Sequence, residues 1–287
     1  MATIAQRSVL EVLRLSAAYL SDHGSDSARL DAEMLMAHAL AIRRLDVYLQ
    51  FDRPLDAEKL ALVRELVRRR GRGEPIAYIT GTREFFSRTF MVTPDVLIPR
   101  PETETLVEAV LDRARTNPAP RIADFGTGSG CIGVTLAAEI PGAHIVAVDA
   151  SEEALVVARH NALLHEVGER VAFAHGDWAT AVDGRFDVAV SNPPYVTSAE
   201  LAALERNVRD FEPAHALHGG GDGLDAYRAL LATLPEHVGP GALIALEVDP
   251  RRAQAVAALV KARLLAVDVE VVDDLARRPR VVLAEVR

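Results

Sequence analysis

The chain has 287 residues, 49% of them hydrophobic and 25% charged, a normal globular balance with ample material for a core. That length holds one large domain, or a medium domain plus a small one. The formal net charge of −9 argues against a protein that wraps nucleic acid by bulk electrostatics, and the single cysteine, Cys131, excludes an internal disulfide and a cysteine-based zinc site.

The first residues, MATIAQRSVLEVLRL, lack the apolar core and small-residue cleavage site of a signal peptide. No apolar run approaches the roughly 20 residues of a membrane span. The expectation is a soluble, cytoplasmic protein of a reducing compartment, a monomer with no membrane partner. Lys59 and Lys261 are the only lysines, and the arginines are scattered. Their one clear run, Arg68, Arg69 and Arg70 with Arg72, reads as a solvated helix end, with an anionic docking patch as the alternative.

Residues 4 to about 70 look helical throughout. Val9, Leu10, Leu13 and Leu20 fall near helical spacing. Ser25-Asp26-Ser27 can cap a second helix through Leu30, Met34, Leu35 and Leu40. Asp56 can cap a third, with Leu60, Val63 and Val67 on one stripe and Glu58, Lys59, Arg64 and Glu65 on the other. His38, among apolar residues, reads as a packed histidine. Gly71 to Pro75 breaks the helix. A β-rich segment is expected next, with Ile76 to Ile79 extended, a turn at Gly81, and a hairpin from Glu84 to Val92. Phe85, Phe86 and Phe90 read as a small core beneath it, the alternative being that one of them walls an active site.

Pro101 suits the first turn of a helix through Leu106, Val107, Val110 and Leu111. From there strands and helices alternate. Strands are expected at 121–125, 144–148, 171–175, 186–190 and 242–248. Helices are expected at about 131–139, 151–164, 224–237 and 251–263. Two final β-runs, 267–272 and 281–286, suggest an antiparallel hairpin. Such alternation gives an α/β fold, a mostly parallel sheet covered on both faces.

Two stretches carry chemistry. Ser191-Asn192-Pro193-Pro194-Tyr195 follows a buried apolar strand. Proline fixes φ and removes the N–H, so this is a stiff pocket in which the Asn192 oxygen and the Pro193 carbonyl can accept from one planar –NH2 group. The Tyr195 ring can lie against that group's face. On its own the motif suits adenine and glutamine equally. The second stretch, Asp124-Phe125-Gly126-Thr127-Gly128-Ser129-Gly130, sits between a strand and a helix, where glycines permit a sharp turn and close approach to a ligand. Asp149 ends the next strand, roughly 20 residues on, where a carboxylate can hold both ribose hydroxyls. Asp177 can accept from an adenine amino group, and Trp178 can pack on the ring or belong to the core. The loop lacks the Gly-Lys-Ser/Thr of a phosphate-binding loop and the G-x-G-x-x-G of a dinucleotide site. Its G-x-G-x-G spacing, with acids after successive strands, suits S-adenosylmethionine. Asp124 would organise the loop and the cofactor's amino-acid end. Cys131 heads a buried helix and reads as a packing residue.

These motifs resemble the class I S-adenosylmethionine-dependent methyltransferases that act on planar nitrogens. Within that group the chain is similar to the HemK/PrmC family of peptide chain release factor glutamine N5-methyltransferases. The narrower resemblance rests on Pro75 to Gly81 with Glu84-Phe85, Leu97 to Glu104, Phe211-Glu212-Pro213 with Ala216-Leu217, and Gly220 to Leu224 with Tyr227-Arg228. It runs from about residue 30 to the C-terminus.

The resemblance implies a small N-terminal helical domain over 1–71 that docks release factors, a β-hairpin linker over 72–95, and a Rossmann-like, seven-stranded methyltransferase domain over 96–287. It implies N5-methylation of the Gln in a Gly-Gly-Gln loop, with S-adenosylhomocysteine as the other product. Asn192, Pro193 and Tyr195 would be catalytic, with Pro194 also binding the substrate. Asp124, Gly126, Thr127, Gly128, Ser129, Gly130, Asp149, Asp177, Trp178 and Asn192 would hold the cofactor, with no metal. The amide nitrogen needs orientation and electrostatic help rather than a strong base, so His215 and His218 are given loop roles. A nucleic-acid base methyltransferase, acting on adenine N6 or guanine N2, is the alternative, and no direct nucleic-acid binding is expected. Two stretches depart from the family pattern and bear on local loop shape: Asp249 in place of a glycine, and Arg277-Arg278-Pro279-Arg280 in place of a Gly-Asp-Arg-like turn.

Overall fold

The computed structural model describes residues 7–114, 117–264 and 267–287. They fall into two compact units, one ending at Gly81 and including Arg206–Phe211, the other holding the remainder.

The first unit is helical. Helix α1 (Val9–Asp22) opens with a capping box: Ser8 Oγ accepts from Glu11 N at 3.3 Å, and Glu11 Oε2 accepts from Ser8 N at 2.8 Å. Residues 4–6, expected to be helical, lie outside the described residues. Helix α2 (Ala28–Leu40) follows, with Ser27 at the N-cap position but making no cap bond. The hydroxyls of Ser25 and Ser27 instead donate to Asp31 at 2.7 and 2.9 Å. Arg70 Nε donates to the same carboxylate at 2.7 Å. The arginine run is therefore only partly solvated, since Arg69 also pairs with Glu74. His38, expected to be packed, is exposed near the C-terminus of α2.

Helices α3 (Arg44–Tyr48) and α4 (Ala57–Gly71) follow, α4 capped by Asp56 as its sequence predicts, with Lys59 N donating to Oδ1 at 2.7 Å. The segment expected to be extended, Ile76–Thr80, is instead helix α5. A five-residue apolar run fits either state. Pro75 stands at its N-cap and Gly81, at φ 76°, ends it in the left-handed region. Leu13, Leu35, Met36, Val47, Val63 and Ile79 share the unit's core.

The second unit starts with the antiparallel hairpin β1 (Thr82–Phe85) and β2 (Arg88–Met91). Phe86 and Ser87 turn it at φ 49° and 57°. Phe85 and Phe90 are fully buried with Leu106 and Val110, so they are core and not an active-site wall. A single 3-10 turn, Pro101–Thr103, leads into α6 (Glu104–Ala114). The alternation then runs β3 (Arg121–Phe125), α7 (Cys131–Glu139), β4 (His144–Asp149), α8 (Glu152–Leu164), β5 (Val171–His175) and β6 (Phe186–Ser191). Short helices α9 (Ser198–Leu201) and α10 (Arg206–Arg209), the second belonging to the helical unit, were not expected from the sequence. Helix α11 (Asp225–Thr233), β7 (Val238–Glu247), α12 (Ala253–Arg263), β8 (Val267–Asp273) and β9 (Pro279–Val286) complete the chain.

The sheet has seven strands in the order β5-β4-β3-β6-β7-β9-β8. Of its strands only β9 runs opposite to the other six. This is the mostly parallel sheet that the alternation predicts, in the seven-stranded Rossmann-like form that the resemblance implies. Strand order reverses at β3, flanked by β4 and β6, and ligands in such sheets bind outside the strand C-termini at that point. The register aligns Phe125 with Val148 on one side and Ser191 on the other. The glycine loop, Asp149 and the Asn192 motif are therefore neighbours. The two departures are accommodated locally: Asp249 accepts from Arg251 N and Nε, both at 2.9 Å. Arg277 turns at φ 58°, and Arg280 is buried against Asp274 at 3.3 Å.

Candidate active site

A cavity opens where β3, β4 and β6 end. Gly126, Thr127, Gly128, Ser129, Asp149, Asp177, Trp178, Asn192 and Pro194 all stand in its wall. The sequence names these from four separate stretches, and the fold brings them together.

The loop after β3 is built from its backbone. Gly126 N and Thr127 N both donate to Val148 O at 2.9 Å. Gly128 N donates to Asp149 Oδ2 at 2.8 Å, and Ser151 N donates to Oδ1 at 2.9 Å. Each carboxylate oxygen keeps a lone pair for a further donor. Gly126, Gly128 and Gly130 take φ of 70°, 55° and 80°. A Cβ on Gly128 would meet nothing within 4 Å, so the loop leaves open space on that side. Gly130 caps α7 and a Cβ there would lie 3.1 Å from the Ala158 side chain, so this glycine serves helix packing and is not in the cavity wall.

Asp124 lies beneath the loop and is fully buried. Its Oδ2 accepts from Thr127 Oγ1 at 2.6 Å and from Gly133 N at 3.0 Å. Its Oδ1 has no partner among the described residues. Burial outweighs these bonds and pushes the carboxyl up to about 6. Trp178 takes φ 47°, a left-handed conformation that a bulky residue holds only when its surroundings impose it. Its ring edge lies close to Gly126, at 3.8 Å from a Cβ built there. Asp177 is exposed at the rim.

Asn192 Nδ2 donates to Thr103 Oγ1 at 3.2 Å, which leaves its amide oxygen as the acceptor available to a ligand. Pro193 is buried and Tyr195 half-buried, and neither is in the cavity wall. Tyr195 packs against the core that includes Tyr227, Ile244 and Leu246. Burial, with the Glu247 carboxyl nearby, pushes its phenol up to about 12, so it stays neutral. Cys131 touches the cavity, but burial pushes its thiol up to about 12, which fits the packing role and not a nucleophile.

Sequence reasoning missed several supports. Asn161 on α8 is fully buried; its Nδ2 donates to Ser129 O at 2.8 Å and to Met91 O at 2.9 Å, while Oδ1 accepts from Met91 N at 2.7 Å. Glu212 is buried and accepts from Ile98 N at 3.2 Å and Arg100 Nη2 at 2.5 Å, fixing the segment whose Asp95, Val96 and Leu97 line the cavity. Gly219 packs so tightly behind the motif that a Cβ would lie 2.6 Å from Pro194 O and 2.7 Å from Tyr195 Cα. His215 lines the mouth, while His218 bonds Ser198 at 2.8 Å away from it. Among the described residues no cluster of three metal-ligating side chains occurs.

Comparison with known proteins bears on what such a site belongs to. The PrmC N-terminal domain description matches residues 11–81 and the Methyltransferase small domain description matches residues 101–222. The release factor glutamine methyltransferase of Cereibacter sphaeroides is 44% identical over 274 residues, covering 96% of this chain and 97% of that protein. The chain belongs to the release factor glutamine methyltransferase family. The relative from Geobacter sulfurreducens is also 44% identical, over 249 residues and 86% of each chain. Among solved structures, the hMettl16 catalytic domain aligns with a TM-score of 0.54 at 17% identity, covering 74% of this chain and 80% of that one. The T. Thermophilus 16S rRNA methyltransferase RsmC aligns at 0.52 with 20% identity, covering 72% and 50%. These two share the methyltransferase fold with this chain.

Proposed function

We propose that this family member methylates the side-chain amide nitrogen (N5) of the glutamine in the Gly-Gly-Gln loop of peptide chain release factors. S-adenosylmethionine is the donor and S-adenosylhomocysteine the second product. The observation that carries the reading is Asn192, held at the end of β6 in the same cavity as the glycine loop and Asp149.

The donor set fits the cofactor. Asp149 offers acceptors to the ribose hydroxyls, Val148, Ile132 and Trp178 offer apolar surface to the adenine, and Asp177 stands at the rim to accept from its amino group. Asp124 acts from below, by holding Thr127 and the first turn of α7 in place. When bound, S-adenosylmethionine supplies a methyl group on a positively charged sulfur.

The remaining work falls to the chain's own residues. An amide nitrogen is a weak nucleophile because its lone pair is delocalised into the carbonyl. Asn192 Oδ1 and the Pro193 carbonyl accept from the glutamine –NH2, fix its plane and favour charge on nitrogen. Tyr195, packed against the core and outside the cavity wall, stiffens the motif behind Asn192 where the sequence had it stacking on the amide. The gain is orientation and electrostatics. No residue of the site needs to take a proton before methylation, which agrees with a neutral Tyr195.

The helical unit is read as a docking domain that grips the release factor outside its glutamine loop, with the hairpin leading into the methyltransferase domain. A net charge of −9 favours a protein substrate over nucleic acid, and release factors place the reaction in the cytoplasm. None of the described helices is long and apolar enough to cross a membrane. Incubation with labelled S-adenosylmethionine and a release factor, DNA or RNA tests the reading. Label on the release factor, lost when its loop Gln is changed to Asn, is expected; label on nucleic acid refutes it.

A further inference from the structure

Asn192 and Pro194 stand in the cavity wall, and the backbone behind them is held by two segments further along the chain. Gly219 to Gly223 form the first. A Cβ on Gly219 would lie 2.6 Å from Pro194 O and 2.7 Å from Tyr195 Cα, and one on Gly223 would lie 2.4 Å from Tyr195 O. The second is the turn into α9, where Thr197 and Glu200 form a capping box. The two are laced together beside the motif. Val196 N donates to Leu217 O at 2.9 Å, Gly219 N to Val196 O at 2.8 Å and Ser198 N to Gly220 O at 3.2 Å.

One side chain joins both segments. Arg252 stands at the N-cap of α12, and its side chain is 11% exposed. Its Nη2 donates to Glu200 Oε2 at 2.6 Å, and the same oxygen accepts from Thr197 N at 3.0 Å. Its Nε donates to the Asp222 carbonyl at 3.1 Å. Asp249, which stands where the resemblance expects a glycine, has Oδ1 at 3.3 Å from Arg252 Nη1 and balances the charge. A Cβ on Gly223 would fall 2.3 Å from Arg252 Nε, so the guanidinium, the glycine loop and Tyr195 O lie in direct succession. The neighbouring Arg251 also pairs with Glu200 and Asp249, at 2.7 and 2.9 Å, yet its side chain is 68% exposed. Among the described residues it makes no bond to the glycine loop.

We propose that Arg252 is a positioning residue for methyl transfer, a clamp that sets the Asn192 to Tyr195 motif from behind. A guanidinium is a planar fork with donors in fixed directions, so it holds Glu200 and the Asp222 carbonyl at once. Thr197, capped by Glu200, follows Tyr195 by two positions, and the glycine loop lies against Pro194 and Tyr195. Pro193 and Pro194 have fixed φ, so a shift of the backbone there passes on to the Pro193 carbonyl and to Asn192. A displacement of about 1 Å at the groups that orient a substrate costs about a hundredfold in rate. Arg252 is outside the cavity wall and acts only through the motif.

The inference rests on the proposed glutamine-methylation reading, and two measurements keep them apart. Amide hydrogen exchange of the unliganded protein needs no substrate. Exchange at Val196 and Gly219 should quicken about tenfold or more in Arg252→Ala and Arg252→Lys, and stay within about threefold of wild type in Arg251→Ala. Lysine keeps the charge and lacks the fork, and it decides the matter where the alanine variant does not fold. If the wild type labels no release factor, the glutamine reading has failed and exchange alone judges the clamp. In single-turnover methylation of a release factor, the Arg252 variants should slow methyl transfer about tenfold to a hundredfold. They should still bind one S-adenosylhomocysteine per chain with affinity within about twofold of wild type. Arg251→Ala should stay within about twofold of the wild-type rate, because an exposed ion pair contributes little. Unchanged exchange in Arg252→Lys refutes the clamp. Faster exchange with an unchanged methylation rate, an equal loss in Arg251→Ala, or cofactor binding lost in step with the rate overturns its role in catalysis.

Discussion

Changing Asp149 to Asn separates the cofactor site's two jobs. The carboxylate now accepts from Gly128 N at 2.8 Å and Ser151 N at 2.9 Å, one per oxygen, and keeps two lone pairs for the ribose. An asparagine has one oxygen, so one of the two backbone N–H groups must face an –NH2. An unsatisfied donor of this kind costs about 1–3 kcal/mol, and that cost falls on the unliganded protein. The second loss falls on binding alone: one ribose hydroxyl faces a donor where a charged acceptor stood, worth about 1.5–3 kcal/mol. At about 1.4 kcal/mol per tenfold, the Kd for S-adenosylhomocysteine should rise about tenfold to 150-fold. Calorimetric titration reads the binding loss, and denaturant unfolding of the unliganded protein reads the stability loss. A Kd within about threefold of wild type would refute the assignment of Asp149 to the ribose, whatever the stability change.

Other outcomes follow from the same geometry. Gly219→Ala places a Cβ 2.6 Å from Pro194 O, a backbone contact that cannot yield, so methylation should fall at least tenfold while the cofactor still binds; unchanged kcat would refute the tight packing of Gly219 behind the motif. Burial raises Asp124 to about 6 and Glu247 to about 7, well above the usual carboxylate range. The folded state thus holds protons that the unfolded chain has released, and their stabilising contribution, complete below about pH 4, is lost as pH rises through about 6 to 7. Asp124→Asn should therefore gain on wild type by up to about 3 kcal/mol between pH 4 and pH 7 in denaturant titrations; a constant difference would sink this. Removal of residues 1–70 should harm release-factor methylation far more than cofactor binding, and equal loss of both would overturn the docking role.

Much of the sheet was legible because buried parallel strands are short apolar runs, and two of them run directly into site residues. Asp149 and Asn192 sit where such runs stop. The glycine loop was legible because left-handed φ at Gly126, Gly128 and Gly130 narrows the choice of residue. What was hidden depends on partners distant in sequence. Asn161 looks like an ordinary polar helix residue until Met91 and Ser129 are placed around it. Helix α2 turns Asp31 and Glu33 inward and leaves Leu30 and Met34 exposed, because Arg70, Arg29, Arg44 and Tyr48 satisfy the acids. Apolar periodicity cannot register that arrangement. The segment Ile76–Thr80 was too short for its period to distinguish helix from strand. Thr103 was recognised only as part of a family stretch, and its bond to Asn192 spans 89 positions.

The central claim is that the –NH2 held by Asn192 belongs to a protein glutamine. The most direct measurement is peptide mass spectrometry of a release factor after incubation with this enzyme and S-adenosylmethionine. The account predicts one added methyl, on the side-chain nitrogen of the Gln in the Gly-Gly-Gln loop, absent when that Gln is Asn or when Asn192 is Ala. A methyl on another residue, or on nucleic acid with the release factor untouched, would contradict it.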